Sequence, residues 1–196
     1  MRDWETYFAA TDATRETRVL FREALAAQPP LPHPRRATDL GFGHGVETLA
    51  LLEAGWEVYA ADGAPGAVER LQARVPATHA SQLTLEHIDL GAVSVPPSAF
   101  VWAGLSLFFL PPDRFAALWQ SIRAALLPGG RFAGQLLGDR DTWAGDSDTT
   151  GLSPAAVDHL LRGMTVEHLS VQDEDGRAVS GPKHWHLYNV IARVPG

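Results

Sequence analysis

The stretch TDLGFGHG, Thr38 to Gly45, holds three glycines in five positions and begins them two residues after a carboxylate, Asp39. Glycines at that density free a backbone from Cβ atoms, so its N–H groups can approach a bound nucleotide or nucleoside closely. The dinucleotide fingerprint is G-x-G-x-x-G with an acidic residue about twenty positions on. Here the spacing is G-x-G-x-G over Gly41, Gly43 and Gly45, and Val46 stands where the last glycine of that fingerprint belongs. Asp62 follows, placed to accept two hydrogen bonds from a ribose diol, and Asp89 offers a further polar group.

Two later clusters could carry chemistry. GDRDTW, Gly138 to Trp143, contains Arg140, which could clamp an anionic substrate or pair with Asp139 or Asp141. KHWH, Lys183 to His186, places His184 and His186 on one face of a strand and Trp185 on the other. Either imidazole could serve as base or donor near neutral pH. Two histidines on one face also suit a metal, but no third ligand stands at a convincing spacing, so no metal is expected. Between these clusters, WAGLSLFFLPPD (Trp102–Asp113) is an apolar wall in which Leu105, Leu107, Phe108 and Phe109 could flank a reacting group.

These residues need a scaffold that brings them to one edge. Ala37–Leu40 reads as a short buried strand, Val46–Glu53 as a helix with Gly55 just beyond its end, and Trp56–Ala61 as a second strand. A helix opens at Pro65; Leu83–Ile88 and Phe100–Leu107 are strands three and four. Asp113–Leu127 is a helix stopped by Pro128-Gly129-Gly130, and Arg131–Leu137 is a fifth strand. Strands alternating with helices imply a mostly parallel sheet covered on both faces, with ligands at its carboxyl edge. After a helix at Ser153-Pro154, Thr165–Gln172 and Trp185–Val194 read as a closing hairpin joined by a polar turn region around Gly176 and Gly181. Upstream, residues 13 to 27 have helical spacing, and the four prolines of Pro29–Arg36 read as an extended connector. The expected organisation is an N-terminal helical segment, residues 1–30, on a single globular domain, residues 31–196.

Composition narrows the classes. The 196 residues include no cysteine, which excludes disulfides, a thiolate nucleophile and thiolate-bound metal. A net charge of −7 argues against nucleic acid as the main partner, since phosphate binding needs a basic face. The longest apolar stretch, Ala99–Leu110, is too short to span a bilayer, and MRDWETYF does not read as a secretory signal, so a cytoplasmic protein without membrane partners is expected.

DLGFGHG, Asp62 and HIDL (His87–Leu90) together resemble the nucleoside-binding series of class I S-adenosylmethionine-dependent methyltransferases. LLPGGRFAGQLLG (Leu126–Gly138) and the tail KHWHLYNVIARV are similar to the same family's later segments. WETYF and RETR, in the N-terminal segment, are similar to its small tellurite-resistance and methyltransferase-domain members. The resemblance implies a Rossmann-like three-layer sandwich: α/β, with a mostly parallel seven-stranded sheet and an antiparallel C-terminal hairpin strand. It implies that Asp39 and the backbone of Gly41, Gly43 and Gly45 cradle the methionine portion of S-adenosylmethionine. Asp62 would bind the ribose with Gly63 beside the adenine, and Asp89 would accept from the adenine amino group with Leu90 on the ring. Ala103 and Leu105 would border the sulfonium. Trp4, Tyr7 and Phe8 would cover the cofactor as a lid, and Arg15 or Arg18 would meet its carboxylate. The family commonly has a compact residue where Phe42 stands, so Phe42 is read as core packing. The side chain of His44 is read as directed toward solvent or the lid.

Methyl transfer is an in-line displacement in which positioning supplies about 7–11 kcal/mol. A general base adds roughly 10²–10⁴-fold, so a base is optional. The expected activity is methyl transfer to a small-molecule acceptor by a monomer or homodimer. An NAD-dependent oxidoreductase and a non-catalytic S-adenosylmethionine-binding protein stand as alternatives.

Overall fold

A computed structural model describes residues 4–11, 15–29 and 35–196. Seven strands form one sheet: β1 (Arg36–Leu40), β2 (Glu57–Asp62), β3 (Leu83–His87), β4 (Ser98–Ala103), β5 (Leu126–Leu137), β6 (Thr165–Ala178) and β7 (Gly181–Arg193). Their order is β3-β2-β1-β4-β5-β7-β6, and β7 alone runs antiparallel to both of its neighbours. Among the described residues six α-helices accompany it: α1 (Trp4–Ala10), α2 (Val19–Ala26), α3 (Val46–Glu53), α4 (Ala67–Gln72), α5 (Pro112–Ala125) and α6 (Pro154–Leu160).

Strand β4 explains the layering. All six of its residues are buried, as an interior strand covered on both faces requires. Phe100 and Trp102 pack with Phe21, Leu51, Trp56 and Leu71 on the α2–α4 side. Val101 and Ala103 turn the other way, among Phe115, Leu118, Trp119 and Ile122 of α5. Those α5 residues fall at i, i+3, i+4 and i+7, one stripe of a helix opened by Pro112 at its first turn. The α/β sandwich expected from the strand–helix alternation is therefore the fold.

Several boundaries differ from the expectation. The fourth strand stops at Ala103 rather than Leu107, because Leu105 takes a left-handed conformation with φ 55° that no strand accommodates. The helix read over residues 13–27 covers only Val19–Ala26; residues 12–14 lie outside the described residues, and 15–18 are non-helical. The connector read at Pro29–Arg36 also falls largely outside them, and its last residue, Arg36, opens β1.

The largest departure is the hairpin. The polar stretch read as a turn region continues both strands, with Asp173 to Ala178 registered against His186 to Gly181 and only Val179-Ser180 forming the turn. Strand β5 pairs with β7 only as far as Leu187, so the hairpin runs on beyond the sheet by about 20 Å at about 3.3 Å per residue. Gly176, read as a turn signal, sits within β6 where an added Cβ would press on the Trp185 ring at 3.0 Å.

Candidate functional site

The carboxyl edge of the sheet opens into a cleft of about 1000 Å³, at the upper end of the roughly 300–1,000 Å³ typical of small-molecule sites. Its inner half is the turn from β1 into α3. Gly41 has φ 75°, and a Cβ there would lie 2.3 Å from that of Ser106, whose hydroxyl donates to the Leu40 carbonyl at 2.5 Å. Gly45, φ 72°, caps α3, and a Cβ there would strike Leu71 at 2.4 Å. The glycine spacing is thus set by close packing at both ends of the loop as well as by left-handed backbone.

Two carboxylates sit under this loop. Asp62 accepts from the Gly43 N–H and the Ala64 N–H, each at 2.8 Å. Burial raises its pKa, and these two backbone donors oppose the rise. A carboxylate offers about four lone-pair sites, so Asp62 can brace the loop and still accept from a diol. Asp39 is 1 % exposed; its Oδ2 accepts from the Thr48 hydroxyl at 2.6 Å, while its Oδ1 has no partner among the described residues. Burial pushes its pKa up to about 8, against the pull of the Thr48 hydrogen bond. An orphaned buried acceptor at the floor of a cleft fits the arrival of a cationic donor such as an α-ammonium group. Asp89 stands at the rim, exposed, where its Oδ1 accepts from the Gly91 N–H and from Arg114 at 2.5 Å. Gly63 and Leu90 complete this lining.

Helix α1 lies over the loop. Trp4 meets Phe109 edge-on with centroids 5.0 Å apart, and Phe8 meets the His44 ring at 5.0 Å while the Arg70 guanidinium lies 4.2 Å from the Phe8 ring centre. The His44 side chain reaches the Thr11 hydroxyl at 2.8 Å, so it faces the N-terminal segment. Arg15 is committed to Glu47 through two hydrogen bonds of 2.8 and 2.7 Å. Burial pushes the Glu47 carboxyl upward, but Arg15 and the Arg18 backbone N–H outweigh it and leave its pKa lowered. Arg18 lines the cleft, and its guanidinium makes no hydrogen bond or ion pair with the described residues. Burial lowers its pKa, with repulsion from Arg15 adding to the effect.

The outer half is aromatic. Phe109, Trp143 and Trp185 continue from Trp4, with centroids 5.7 Å apart for Phe109–Trp143 and 5.6 Å for Trp143–Trp185. The Lys183 ammonium sits behind the two indoles, 3.9 Å from the Trp143 ring centre and 4.2 Å from that of Trp185, and is ion-paired with Asp141. Both partners of that pair are buried. Asp141 also accepts from the His186 and Trp143 backbone N–H groups at 3.0 Å, fastening the segment after β5 to the projecting hairpin.

The sequence-derived candidates divide accordingly. Trp4, Arg15, Asp39, Gly41, Gly43, Asp62, Gly63, Asp89, Leu90 and Leu105 line the cleft. Gly45 and Ala103 support it from outside the lining. His184, His186 and Arg140, read as candidates for the chemistry, lie outside the cleft lining. His184 is held between Asp175 at 2.7 Å and Asp173 at 2.9 Å, which raise its pKa in that order. Arg140 is ion-paired with Asp173, and His186, 1 % exposed, accepts the Arg140 backbone N–H at 3.1 Å. The period-two reading separated the histidines from Trp185, but the cleft is on the tryptophan's side. An apolar residue alternating with polar ones in a projecting strand was the signal for it. The packing of Lys183 and Asp141 behind Trp143 and Trp185 had no local signal. Among the described residues no cluster of three or more metal-ligating side chains occurs.

Residues 37–130 match the family model described as "Methyltransferase domain". Two curated relatives named carboxy-S-adenosyl-L-methionine synthase are similar: that of Ectopseudomonas mendocina is 36% identical over 115 residues, and that of Vibrio parahaemolyticus 31% over 97. These matches cover 54% and 47% of this chain but only 46% and 40% of the relatives, less than half their length. Among solved structures, TehB from Haemophilus influenzae superposes over 98% of this chain and 67% of its own, with TM-score 0.74 and 15% identity. The N-methyltransferase NodS from Bradyrhizobium japonicum WM9, in complex with S-adenosyl-L-homocysteine, gives TM-score 0.68 at 15% identity over 90% and 84%. The glycopeptide N-methyltransferase MtfA, complexed with S-adenosyl-L-methionine, gives 0.62 at 21% over 89% and 92%. Residues 37–130 are therefore similar to a methyltransferase domain, and the chain has the fold seen in these S-adenosylmethionine-dependent methyltransferase structures.

Proposed function

We propose that this chain is a methyltransferase that binds S-adenosylmethionine in the cleft and passes its methyl group to a small-molecule acceptor. The observation that carries the reading is the inner half of the cleft, where the buried, orphaned Oδ1 of Asp39 and the uncommitted guanidinium of Arg18 complement the ends of an amino acid. Bound there, S-adenosylmethionine supplies an electrophilic methyl on a sulfonium. Asp39 would take the ammonium and Arg18 the carboxylate, while the Gly41–Gly43 backbone holds the chain between them. Asp62 would accept from the ribose hydroxyls, and Asp89 with Leu90 would hold the adenine. Leu105 would abut the sulfonium, and α1 would exclude water.

Calorimetry with S-adenosylmethionine and S-adenosylhomocysteine tests this reading. Both should bind, and Arg18→Gln should weaken both by about 10–100-fold, the worth of a hydrogen bond to a charged group. Binding of neither, or preferential binding of NAD, would sink it. Binding without S-adenosylhomocysteine formation on any acceptor would leave a non-catalytic binding protein.

A second reading is favoured by the 36% identical relative, whose name states a different product, carboxy-S-adenosyl-L-methionine. Mass spectrometry of the nucleoside released from the purified protein separates the two: a carboxylated sulfonium supports the synthase, and S-adenosylhomocysteine supports the methyltransferase.

A further inference from the structure

We infer that the aromatic outer half of the cleft is the acceptor subsite, built for a flat aromatic molecule whose attacking atom is an anion at neutral pH. The inference rests on the methyltransferase reading and goes on to name its substrate class.

Four rings from four separate elements form the wall. Trp4 comes from α1, Phe109 from the segment after β4, Trp143 from the segment after β5, and Trp185 from the projecting part of β7. Each meets the next edge-on or tilted, with centroids 5.0 to 5.7 Å apart, and all four are only partly buried. Half-buried aromatic rings converging on a cleft present their remaining faces and edges to whatever enters, which favours a planar partner. The wall is also held from behind. The Lys183–Asp141 pair grips both indoles, so their geometry is set before an acceptor arrives.

Charge selects within the planar class. Among the described residues, the carboxylates that line the cleft, on Asp39, Glu47, Asp62 and Asp89, belong to the inner half. In the outer half the charged lining residue among those described is Arg177, beside the hairpin tip, and its side chain makes no hydrogen bond or ion pair with the described residues. Among the described lining residues an ammonium-bearing acceptor finds no carboxylate there, whereas an anion finds a guanidinium.

The chemistry agrees with this. An anionic acceptor donates its electron pair to form the bond to the methyl carbon; the carbon–sulfur bond breaks, and its pair stays on the sulfur. Sulfonium and anion both become neutral, and no proton need be removed. Because charge disappears along the reaction, apolar walls that solvate charge poorly favour the transition state over the separated ions. A neutral amine would instead keep a positive charge throughout and gain nothing from the same walls. Arg177 and the tryptophans are thus binding residues for the acceptor, and Lys183 and Asp141 are positioning residues for the wall.

The test is calorimetry on the whole chain saturated with S-adenosylhomocysteine, using 4-nitrothiophenolate as the anionic probe and 4-nitroaniline as its neutral, amine-bearing counterpart. The thiolate should bind more tightly than the aniline. Trp143→Leu and Trp185→Leu should each weaken the thiolate by roughly 3–10-fold, the worth of one aromatic contact, and Trp143→Phe should restore part of the loss. Arg177→Gln should erase the preference for the thiolate over the aniline. All variants should bind S-adenosylhomocysteine as the parent does, which certifies their fold. Equal or tighter binding of the aniline, or thiolate binding indifferent to both tryptophans, overturns the inference while leaving the cofactor reading intact. Failure of S-adenosylhomocysteine to bind the parent overturns the cofactor reading itself.

Discussion

Over β1 and β2 the cleft is made of backbone and carboxylate; over β5 and β7 it is made of aromatic rings. The first half is assembled within short stretches of chain, Asp39 to Thr48 and Asp62 to Ala64, and is rigid because each side chain braces its neighbours. The second half is gathered from α1, two inter-element segments and a hairpin that overhangs the sheet, and one buried ion pair fastens its outer end. A local turn of fixed geometry suits a ligand that does not vary, such as a cofactor. A wall borrowed from distant elements can change its shape for another acceptor without disturbing that turn.

The contrast can be broken most sharply at Asp62. Asp62→Ala leaves the Gly43 and Ala64 N–H groups without their acceptor, at about 1–3 kcal/mol each, and removes the ribose partner. Thermal unfolding should show the loss of stability, and calorimetry should show S-adenosylmethionine binding reduced more than 100-fold, roughly the worth of two charge-assisted hydrogen bonds. An intermediate effect of mixed sign is expected at Asp39. Its pKa is about 8 in the folded chain against 3.8 in the reference state. The folded protein therefore holds the extra proton between those values, so unliganded stability falls as pH rises from about 4 to about 8. Asp39→Asn should flatten that slope and stabilise the empty protein at pH 8 by about 1–3 kcal/mol, while weakening the cofactor. Denaturation across the pH range, paired with binding titrations, checks both signs. The smallest effect belongs to His184, half-buried and paired with Asp173 and Asp175 away from the cleft. His184→Gln should leave both turnover and cofactor affinity within about twofold of the parent; a large fall in turnover would return it to the chemistry.

The difference between the halves also governs what the sequence made legible. The glycine spacing, Asp39 and Asp62 are readable because they lie at the ends of short, largely buried strands, and Asp89 because it follows the third strand at the same edge. Strands β1, β2 and β3 were readable for the same reason. Leu105 was named as a neighbour of the reacting centre, yet its left-handed backbone was not foreseen, since no residue type announces φ 55° at a leucine. The hairpin was misjudged because its outer part packs against no helix: polar residues on an overhanging strand imitate a turn. His184 and His186 drew attention by their residue type, whereas membership of the cleft was decided by which face of β7 turns inward. Arg18 is named by the resemblance and lines the cleft, whereas Arg177 lines it with no local spacing that sets it apart from Arg140, which pairs with Asp173 instead.

The overhang of the hairpin bears on time as well as on shape. Beyond Leu187, strand β7 loses β5 as a partner and is held instead by the segment after β5, through the Thr142 N–H to the His184 carbonyl at 3.1 Å, the Thr142 hydroxyl and the Lys183–Asp141 pair. Amide protons at the tip should therefore exchange through a small opening that leaves the rest of the sheet closed. If that opening is also the door for spent acceptor, its rate sets a ceiling on turnover, and the strength of these few contacts becomes a clock for the catalyst.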